Sequence, residues 1–274
     1  MRFKLFNVLD FSNEQFDLTR YILTSELRLN LILDLYDGEK VFEEIRLHLD
    51  KNPGNLIRGL NELVERNLVV KYDKSYSLSN IGYLIALNII NLFDNWDAIN
   101  NHHDFWQKHT VVSFSPEFMR KINIWNNSKL IESDNVDIAK TFRIYSEKIR
   151  QSKDINIDLP FYSKMYVDLI LDALLKNEGH LKLITNETIL DLIYEEDFEN
   201  IFDSLVKEGR IDVYLTEYNL ELFFTVCDNF SSLSLFFDKQ LFDDSEMLLI
   251  EDEDDIEDAL RIFNSFIEGV NIIN

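Results

Sequence analysis

The dipeptide Asn52-Pro53 is the sharpest local constraint in this sequence of 274 residues. An Asn side chain can accept hydrogen bonds from the free backbone N–H groups at a helix start, and Pro suits the first helical position, where no donor is needed. A helix is therefore predicted to begin at Pro53. Its apolar residues recur at i, i+4, i+7 and i+8, which gathers them on one buried face: Leu56, Leu60, Leu63 and Val64.

The segments around this helix complete the order of a winged helix-turn-helix domain over residues 20–90. Downstream, apolar-rich runs at 68–72 and 76–78 flank a polar turn at 73–75, which predicts a hairpin, the wing. Upstream, apolar spacing predicts a helix over residues 25–36, and then a shorter helix through Val41, Ile45 and Leu49. The same elements also suit a protein-interaction module, and this alternative stays open.

The face of the predicted helix opposite the apolar stripe is rich in amide groups. Asn can bridge adenine N6 and N7, and Arg can bridge guanine O6 and N7, each good bidentate pair giving about 1–3 kcal/mol of discrimination in the major groove. Lysines beside the helix and in the wing can reach phosphates. The sequence therefore favours double-stranded DNA as a partner. The predicted DNA-contacting residues are Lys51, Asn52, Asn55, Arg58, Asn61, Lys71 and Lys74.

Acidic residues are concentrated outside the predicted DNA reader. Residues 20–90 hold nine Lys/Arg and ten Asp/Glu, a net charge of −1, and residues 1–19 also sum to −1. Because the total is −23, residues 91–274 hold −21. Affinity for phosphate comes largely from Lys and Arg that displace counterions, so we expect few phosphate contacts per protomer and a homodimer that reads two half-sites. The alternative is that the acidity serves only solubility.

A long helix over residues 81–99 is predicted to leave the wing and enter a helical connector at 91–127. Its wide apolar stripe suits a dimer seam, and the alternative is that it packs on its own domain. The lone Cys227 cannot form an intrachain disulfide, residues 1–11 lack a secretory signal, and no apolar run reaches membrane-spanning length. We therefore expect a cytoplasmic protein that does not contact membranes.

From residue 128 onward, short strands alternate with helices, which predicts a separate α/β domain over residues 128–274. The predicted strands lie at 128–133, 155–159, 180–185, 210–215, 221–226, 231–237 and 247–250. The predicted helices lie at 136–150, 162–175, 187–195, 198–206 and 252–268. This alternation favours a mostly parallel sheet with an antiparallel element late in the chain.

Polar residues follow several of these strands. Because ligands of α/β sheets bind by default at the carboxyl edge, these residues predict a small-molecule effector site. The candidate ligand-binding residues are Ser133, Asp134, Thr185, Asn186, Asp228 and Asn229. The alternative is that they are ordinary turn residues at strand ends.

Two further groups of residues resemble chemical sites only in part. His102, His103 and His109 lie close to Asp104, but adjacent histidines face different sides of a helix and no Cys is near. Cys227 lacks a basic neighbour of the kind that makes a thiol reactive. We therefore expect no metal site, no cofactor and no redox sensor.

Several segments together resemble archaeal winged-helix regulators that carry the methanogenesis regulatory protein (FilR-type) middle domain. The resemblance rests on LTSELR at 23–28, Asn52-Pro53-Gly54-Asn55, Asp104-Phe105-Trp106 and LFFTVCDNFSSLSLFF at 222–237, and it covers roughly residues 20–270. It implies a transcription regulator of methanogens. The implied fold is an α+β winged-helix N-terminal domain followed by an α/β, phospholipase D-like domain that senses a ligand or partner, or dimerises.

A phospholipase D-like fold raises the question of catalysis. Active members carry His-x-Lys-x4-Asp on the late hairpin, where His acts as nucleophile or acid and Lys binds phosphate. When Asp228 is aligned with the motif Asp, the His and Lys positions fall on Glu221 and Phe223. Neither side chain supplies that chemistry, so we expect a regulator rather than an enzyme.

Overall fold

The chain divides into two units in this computed structural model, with the boundary between Phe93 and Asp94. The structure describes residues 13–111, 114–197, 200–216, 221–237, 241–268 and 272–273. Phe198, where the sequence predicts the start of a helix, lies outside these residues. Within the described ranges, no helix combines the length and the apolarity needed to cross a bilayer.

Unit 1 consists of helices and a small antiparallel sheet of three strands. Its helices are α1 (Asn13–Leu23), α2 (Glu26–Asp34), α3 (Phe42–Leu49), α4 (Pro53–Glu65) and α5 (Asn80–Asn101), the last of which continues past the unit boundary. Its strands are β1 (Lys40–Val41), β2 (Val69–Tyr72) and β3 (Ser75–Leu78), in the order β1-β3-β2. The helices and hairpin predicted here are confirmed to within a few residues. Helix α1 is an addition that the sequence pattern did not indicate.

The predicted start of α4 is confirmed in detail. Asn52 Oδ1 accepts a hydrogen bond from the Gly54 N–H at 2.9 Å, and Pro53 occupies the first helical position. Helix α4 crosses α2 closely, since a Cβ atom at Gly59 would lie 2.9 Å from Leu31 Cδ1. The core of unit 1 includes Leu31, Ile32, Leu35, Ile45, Leu56, Leu60, Leu63 and Leu68.

Hydrogen bonds of the Ser79 side chain connect the start of α5 to the residues that precede β2. The Ser79 hydroxyl accepts a hydrogen bond from the Gly82 N–H at 3.0 Å and donates one to the Asn67 carbonyl at 2.6 Å. A Cβ atom at Gly82 would lie 2.0 Å from the Leu68 carbonyl oxygen. Two backbone segments therefore approach each other at a distance that only glycine permits.

Unit 2 is built on a single mixed sheet. Its helices are α6 (His103–Lys108), α7 (Pro116–Arg120), α8 (Lys140–Ile149), α9 (Lys164–Asn177), α10 (Glu187–Glu195), α11 (Ile201–Lys207) and α12 (Glu253–Ile267). Its strands are β4 (Lys129–Glu132), β5 (Asp154–Asp158), β6 (His180–Thr185), β7 (Ile211–Leu215), β8 (Leu222–Cys227), β9 (Ser231–Leu235), β10 (Glu246–Ile250) and β11 (Ile272–Ile273). The strand order is β11-β7-β6-β5-β8-β9-β10-β4.

The prediction of a mostly parallel sheet is wrong. Among the described strands, β5 pairs with β6 and β6 with β7 in parallel, whereas the other neighbours pair antiparallel. The alternation of strand and helix that gives parallel pairing ends at β7. Strands β8 and β9 are joined by residues 228–230, and a connection this short can join only antiparallel neighbours.

Both faces of the sheet are covered by apolar packing. On one face, side chains of α8, α9, α10 and α11 bury Ile155, Ile157 and Phe223. On the other face, α12 and residues of the stretch 94–127 bury Leu222 and Phe224. The stretch that the sequence predicts as a connector thus contributes core side chains to unit 2, namely Phe105, Trp106, Phe114, Phe118, Ile124 and Trp125.

The helix predicted over residues 136–150 begins later, at Lys140. The Asp134 carboxylate accepts hydrogen bonds from the Val136 N–H at 2.7 Å and the Asp137 N–H at 2.9 Å, which holds these residues in a turn. Val136 and Ile138 are exposed, so they do not contribute to a buried helix face.

We expect Gly82→Ala to destabilise unit 1 by about 1–3 kcal/mol, because the added methyl group meets a backbone carbonyl that cannot move without disturbing β2. Gly54→Ala is the matched control, since its Cβ atom would meet only the Asn52 side chain, at 3.2 Å. Urea unfolding of both variants measures the difference. Equal stability of the two variants would contradict the close approach at Gly82.

Candidate nucleic-acid interface

The exposed face of α4 carries the residues predicted to read base edges. Asn55, Arg58 and Asn61 are exposed and lie opposite the buried stripe of Leu56, Leu60 and Leu63. The Arg58 side chain is 82% exposed. The structure therefore brings these three polar side chains to one surface of one helix, as predicted.

Glu62 organises the positive charge on this face. Its carboxylate accepts hydrogen bonds from Arg58 Nε at 2.9 Å and from Arg28 Nη1 at 3.2 Å. The Arg58 and Arg28 hydrogen bonds lower the pKa of Glu62 despite its partial burial. Both guanidinium groups are thus paired with a carboxylate on the same surface.

A second cationic feature lies around Tyr21, and none of its residues is among the DNA-contacting residues predicted from the sequence. The guanidinium carbons of Arg28 and Arg66 each lie 3.9 Å from the centre of the Tyr21 ring. Arg28 also donates a hydrogen bond to the Tyr21 carbonyl at 2.8 Å. The contact joins α1, α2 and the end of α4. Tyr21 lies in α1, which the sequence pattern did not predict, so its contact with the two arginines could not be predicted either.

The predicted lysines differ in their surroundings. Lys51 pairs with Glu26 at 3.0 Å, and its side chain is 42% exposed. Lys71 lies over the Tyr76 ring, with Nζ 5.3 Å from the ring centre. Lys74 is exposed in the hairpin turn and makes no ion pair with a described residue. Lys74 is therefore the predicted lysine that is most available to a phosphate.

The six predicted ligand-binding residues do not form one site, so that prediction is wrong. Strand β8 runs antiparallel to β5, with Cys227 opposite Ile155, so Asp228 and Asn229 lie at the edge where β5 begins. Thr185 and Asn186 follow the end of β6, which is parallel to β5, and therefore lie at the opposite edge.

Ser133 and Asp134 lie near the edge to which β6 points, but far along it. They follow β4, which is separated from β6 by β5, β8, β9 and β10. At about 4.8 Å per strand, the two positions are roughly 20–25 Å apart. All six residues lie at or near strand ends, as predicted, but the antiparallel direction of β8 separates Asp228 and Asn229 from the others, and distance along the sheet separates Ser133 and Asp134.

Each of the six side chains instead makes a local structural contact. Thr185 donates to the Leu159 carbonyl at 3.0 Å, and Asn186 caps α10 by accepting from the Ile189 N–H at 3.0 Å. The corresponding partners are Thr141 for Ser133, the turn at 136–137 for Asp134, Lys153 for Asp228 and Ser152 for Asn229. These contacts agree with the alternative of ordinary strand-end residues.

A cleft of about 690 Å³ nevertheless opens at the end of β6. Its lining is partly apolar and partly polar, which suits a small ligand with both kinds of group. Asn186 is the predicted ligand residue that reaches it. The other lining residues are Pro160, Phe161, Glu187, Thr188, Ile189, Leu215 and Thr216.

The positions aligned with the phospholipase D motif are buried in the structure. Phe223 packs in an aromatic cluster, with ring centres 5.4 Å from Tyr145 and 5.1 Å from Tyr166. Glu221 is also buried.

The chain contains one His-x-Lys, His180-Leu181-Lys182. His180 begins β6 whereas Glu187, seven positions later, lies beyond its end, so these residues cannot meet at one site.

Cys227 and the histidines of residues 102–109 have distinct environments. Burial raises the pKa of the Cys227 thiol, which opposes formation of a reactive thiolate. His102 Nε2 contacts the Ser128 hydroxyl at 2.9 Å and is buried, whereas His103 is exposed beside Asp104. His109 is also buried, and it contacts Asp243 rather than either of the other histidines.

Two domain patterns match this sequence. The N-terminal domain of methanogenesis regulatory protein FilR1 matches residues 16–96, and the middle domain of the same protein matches residues 138–268. This chain belongs to the archaeal FilR1-type regulators. The first match falls almost entirely within unit 1, and the second lies within unit 2.

A curated relative supports the same assignment. The FilR1-type chain is 20% identical over 215 residues to the methanogenesis regulatory protein FilR1 of Methanothrix harundinacea (strain 6Ac), a match that covers 78% of this chain and 48% of the relative. The chain thus spans about half the length of that protein.

Solved structures show more distant likenesses to the FilR1-type chain. TrmBL2, described as an archaeal chromatin protein, is 11% identical, with 96% of this chain and 100% of that chain covered and a TM-score of 0.42. Nuc from Salmonella typhimurium, a phospholipase D family member, is 9% identical, with 54% and 98% covered and a TM-score of 0.39. TM-scores this low do not establish a shared fold.

Asp158, two residues before the cleft residue Pro160, has a buried carboxyl group that makes the stability of the fold depend on pH. No described residue bonds its Oδ2 atom, and burial raises the pKa of Asp158 well above its usual range. Because the unfolded chain releases this proton near pH 4 and the folded chain keeps it, the contribution of Asp158 to the free energy of unfolding falls as the pH rises above about 4. Each pKa unit corresponds to about 1.4 kcal/mol.

We expect Asp158→Asn to remove this contribution, so the variant gains stability over the wild type as the pH rises from 4 to 7. Urea unfolding at several pH values measures the gain. Asp154→Asn, at the exposed start of the same strand, controls for the loss of one carboxylate. The same pH dependence in both variants would refute the role of Asp158.

Proposed function

We propose that this chain is a sequence-specific transcription regulator that binds double-stranded DNA through a winged helix at residues 20–90. The exposed face of α4, with Asn55, Arg58 and Asn61 opposite a buried apolar stripe, carries the proposal. In this arrangement α4 enters the major groove and the β2–β3 hairpin is the wing that brings Lys74 to a phosphate. Membership of a family of regulators agrees with it.

The ion pair of Arg58 does not prevent base recognition. An exposed pair at i,i+4, such as Arg58 with Glu62, contributes about 0.3–0.5 kcal/mol. A bidentate contact of Arg with guanine contributes about 1–3 kcal/mol of discrimination. Exchange of the carboxylate for a guanine edge is therefore favourable, whereas exchange for a single phosphate gains little.

We further propose a homodimer that joins through α5. Helix α5 exposes large apolar side chains along unit 1, including Ile81, Leu84 and Leu92. Between these residues and α1 lies an apolar groove of about 410 Å³, with Leu18, Ile22 and Leu23 on its other side. Exposed apolar surface of this kind marks an interaction site. Two copies also supply the second set of phosphate contacts that an acidic protein needs.

Unit 2 is proposed as the regulatory part, comprising residues 128–274 and the core side chains of residues 94–127. We propose a phospholipase D-like fold without catalysis, because Phe223 and Glu221 occupy the motif positions in the interior. A small-molecule effector would bind in the cleft beside Asn186. We place the protein in the cytoplasm, where its DNA target lies.

The alternative is a protein-interaction module whose winged helix binds another protein instead of DNA. The apolar groove between α1 and α5 is the observation that favours it. Substitutions on α4 separate the two proposals, since Asn55 and Arg58 lie outside that groove.

We expect the full chain to enrich a defined sequence from a pool of random duplexes. Arg58→Ala should weaken binding to that sequence by about 5–150-fold, which corresponds to 1–3 kcal/mol, and Asn55→Ala in addition should remove selectivity. Lys74→Ala should weaken binding to all sequences and reduce the salt slope by about one. Titration at several salt concentrations measures both effects. Retained selectivity in the double variant would exclude α4 as the reader.

A second comparison isolates the Glu62 contact. Glu62→Gln and Glu65→Gln each remove one carboxylate from the same helix, but Glu62 is the one that pairs with Arg58. We expect Glu62→Gln to increase affinity for arbitrary duplexes more than Glu65→Gln does, because it frees a guanidinium as well as removing charge. Equal effects would show that only net charge matters.

We expect Leu84→Glu to convert the dimer to a monomer, because the new carboxylate would be buried without a partner at the α5 seam. Leu47→Glu is the matched control, since Leu47 is also an exposed leucine but lies on α3 rather than α5. Sedimentation velocity of both variants provides the test. A wild-type monomer, or a dimer that survives Leu84→Glu, would rule out this seam.

A further inference from the structure

Three buried side chains of unit 2 converge from distant parts of the sequence. His109 follows α6, Asp243 precedes β10, and Glu246 begins β10. One ligand-capable atom from each lies within 4.8 Å of the others, and all three residues are buried. A His nitrogen with two carboxylate oxygens is a donor set that suits Zn²⁺ and related transition metals.

The His109 ring is oriented as a metal ligand is. Its Nδ1 atom hydrogen-bonds the Phe105 carbonyl at 2.6 Å, which assigns the proton of a neutral ring to Nδ1 and leaves the Nε2 lone pair on the other side. Nε2 points at Asp243 Oδ2, 3.0 Å away. A backbone carbonyl that fixes the tautomer of a ligating His is a recurrent feature of metal sites.

The ring is also fixed by packing. The rings of Phe105 and Phe237 both pack against His109, with ring centres 4.7 Å and 5.3 Å from that of the imidazole. Asp243 is held through its other oxygen, Oδ1, which accepts hydrogen bonds from the Ser245 N–H at 2.9 Å and the Ser245 hydroxyl at 2.6 Å. The oxygen that faces His109 therefore has a defined position.

One carboxylate oxygen of Glu246 is buried without a hydrogen-bond partner among the described residues. Its Oε1 atom pairs with Lys108, but its Oε2 atom is buried and no described residue donates a hydrogen bond to it. Glu132, its direct neighbour on β4, adds a further carboxylate rather than a donor. A buried carboxylate oxygen without a partner destabilises the fold, and a bound cation would remove that penalty.

We propose that His109 Nε2, Asp243 Oδ2 and Glu246 Oε2 bind one divalent transition-metal ion of the Zn²⁺ type. Lys108 keeps its contact with Oε1 and offsets part of the carboxylate charge. The three atoms close around the ion by a small movement of the Glu246 side chain, and water completes a tetrahedral shell. The nitrogen ligand disfavours Mg²⁺ and Ca²⁺, which prefer oxygen. The ion ties the residue after α6 to the edge of the sheet.

Binding of Co²⁺ and Zn²⁺ to the chelator-treated full chain tests this site. We expect one equivalent to bind, Co²⁺ to give the visible absorption of a tetrahedral complex, and saturating Zn²⁺ to raise the thermal unfolding midpoint. Glu246→Gln and His109→Gln should each weaken Zn²⁺ binding by at least about 100-fold. His103→Gln, an exposed His beside an Asp in the same stretch, is the matched control and should bind as the wild type does.

The outcomes separate a metal site from a simple buried ion pair. No stoichiometric binding by the wild type, or equal affinity in the wild type and Glu246→Gln, would overturn the proposal. If His109→Gln does not fold, Glu246→Gln alone decides, because it keeps the shape of the side chain. The proposal does not depend on DNA binding, so it is tested separately from the proposed function.

Discussion

Strand β8 holds unit 2 together because its side chains enter both hydrophobic cores. Leu222, Phe224 and Val226 join one core, and Phe223 and Cys227 join the other. The strand also pairs antiparallel with β5 and β9, so it joins the parallel strands to the antiparallel ones. A strand buried on both faces has no place for an unpaired His or Lys, whose burial would cost several kcal/mol. At the positions aligned with the phospholipase D motif, the same packing leaves Phe223 and Glu221 in the interior.

Local signals in the sequence predicted local structure well. Asn52 and Pro53 located the start of α4, and the polar turn at 73–75 located the hairpin, because capping and turn chemistry act within a few residues. The polarity of the sheet was not predictable in the same way. It depends on which strands meet, and short connections such as residues 228–230 between β8 and β9 leave no room for the crossover that parallel neighbours need.

For the candidate sites too, the sequence predicts what lies on one helix but not contacts between distant elements. The exposed face of α4 follows from helical periodicity, so Asn55, Arg58 and Asn61 could be grouped from the sequence. The contact of Arg28 with Glu62 joins two helices, and the contact of His109 with Asp243 joins residues 134 positions apart. No spacing rule reaches that far. The predicted ligand residues lie apart for two reasons: the antiparallel direction of β8 puts Asp228 and Asn229 at the other edge, and four intervening strands separate Ser133 and Asp134 from Thr185 and Asn186.

The position of Glu62 has a consequence for how the proposed regulator searches a genome. A chromosome offers on the order of 10⁶–10⁹ wrong sites for each right one, so the ratio of affinities matters more than the affinity itself. Glu62 already gives Arg58 an acceptor about as good as one phosphate. In the proposed complex, arbitrary DNA would gain little from that arginine, and residence on wrong sites would be short. The carboxylate would act as an internal competitor that a two-acceptor guanine edge displaces more readily than a phosphate does.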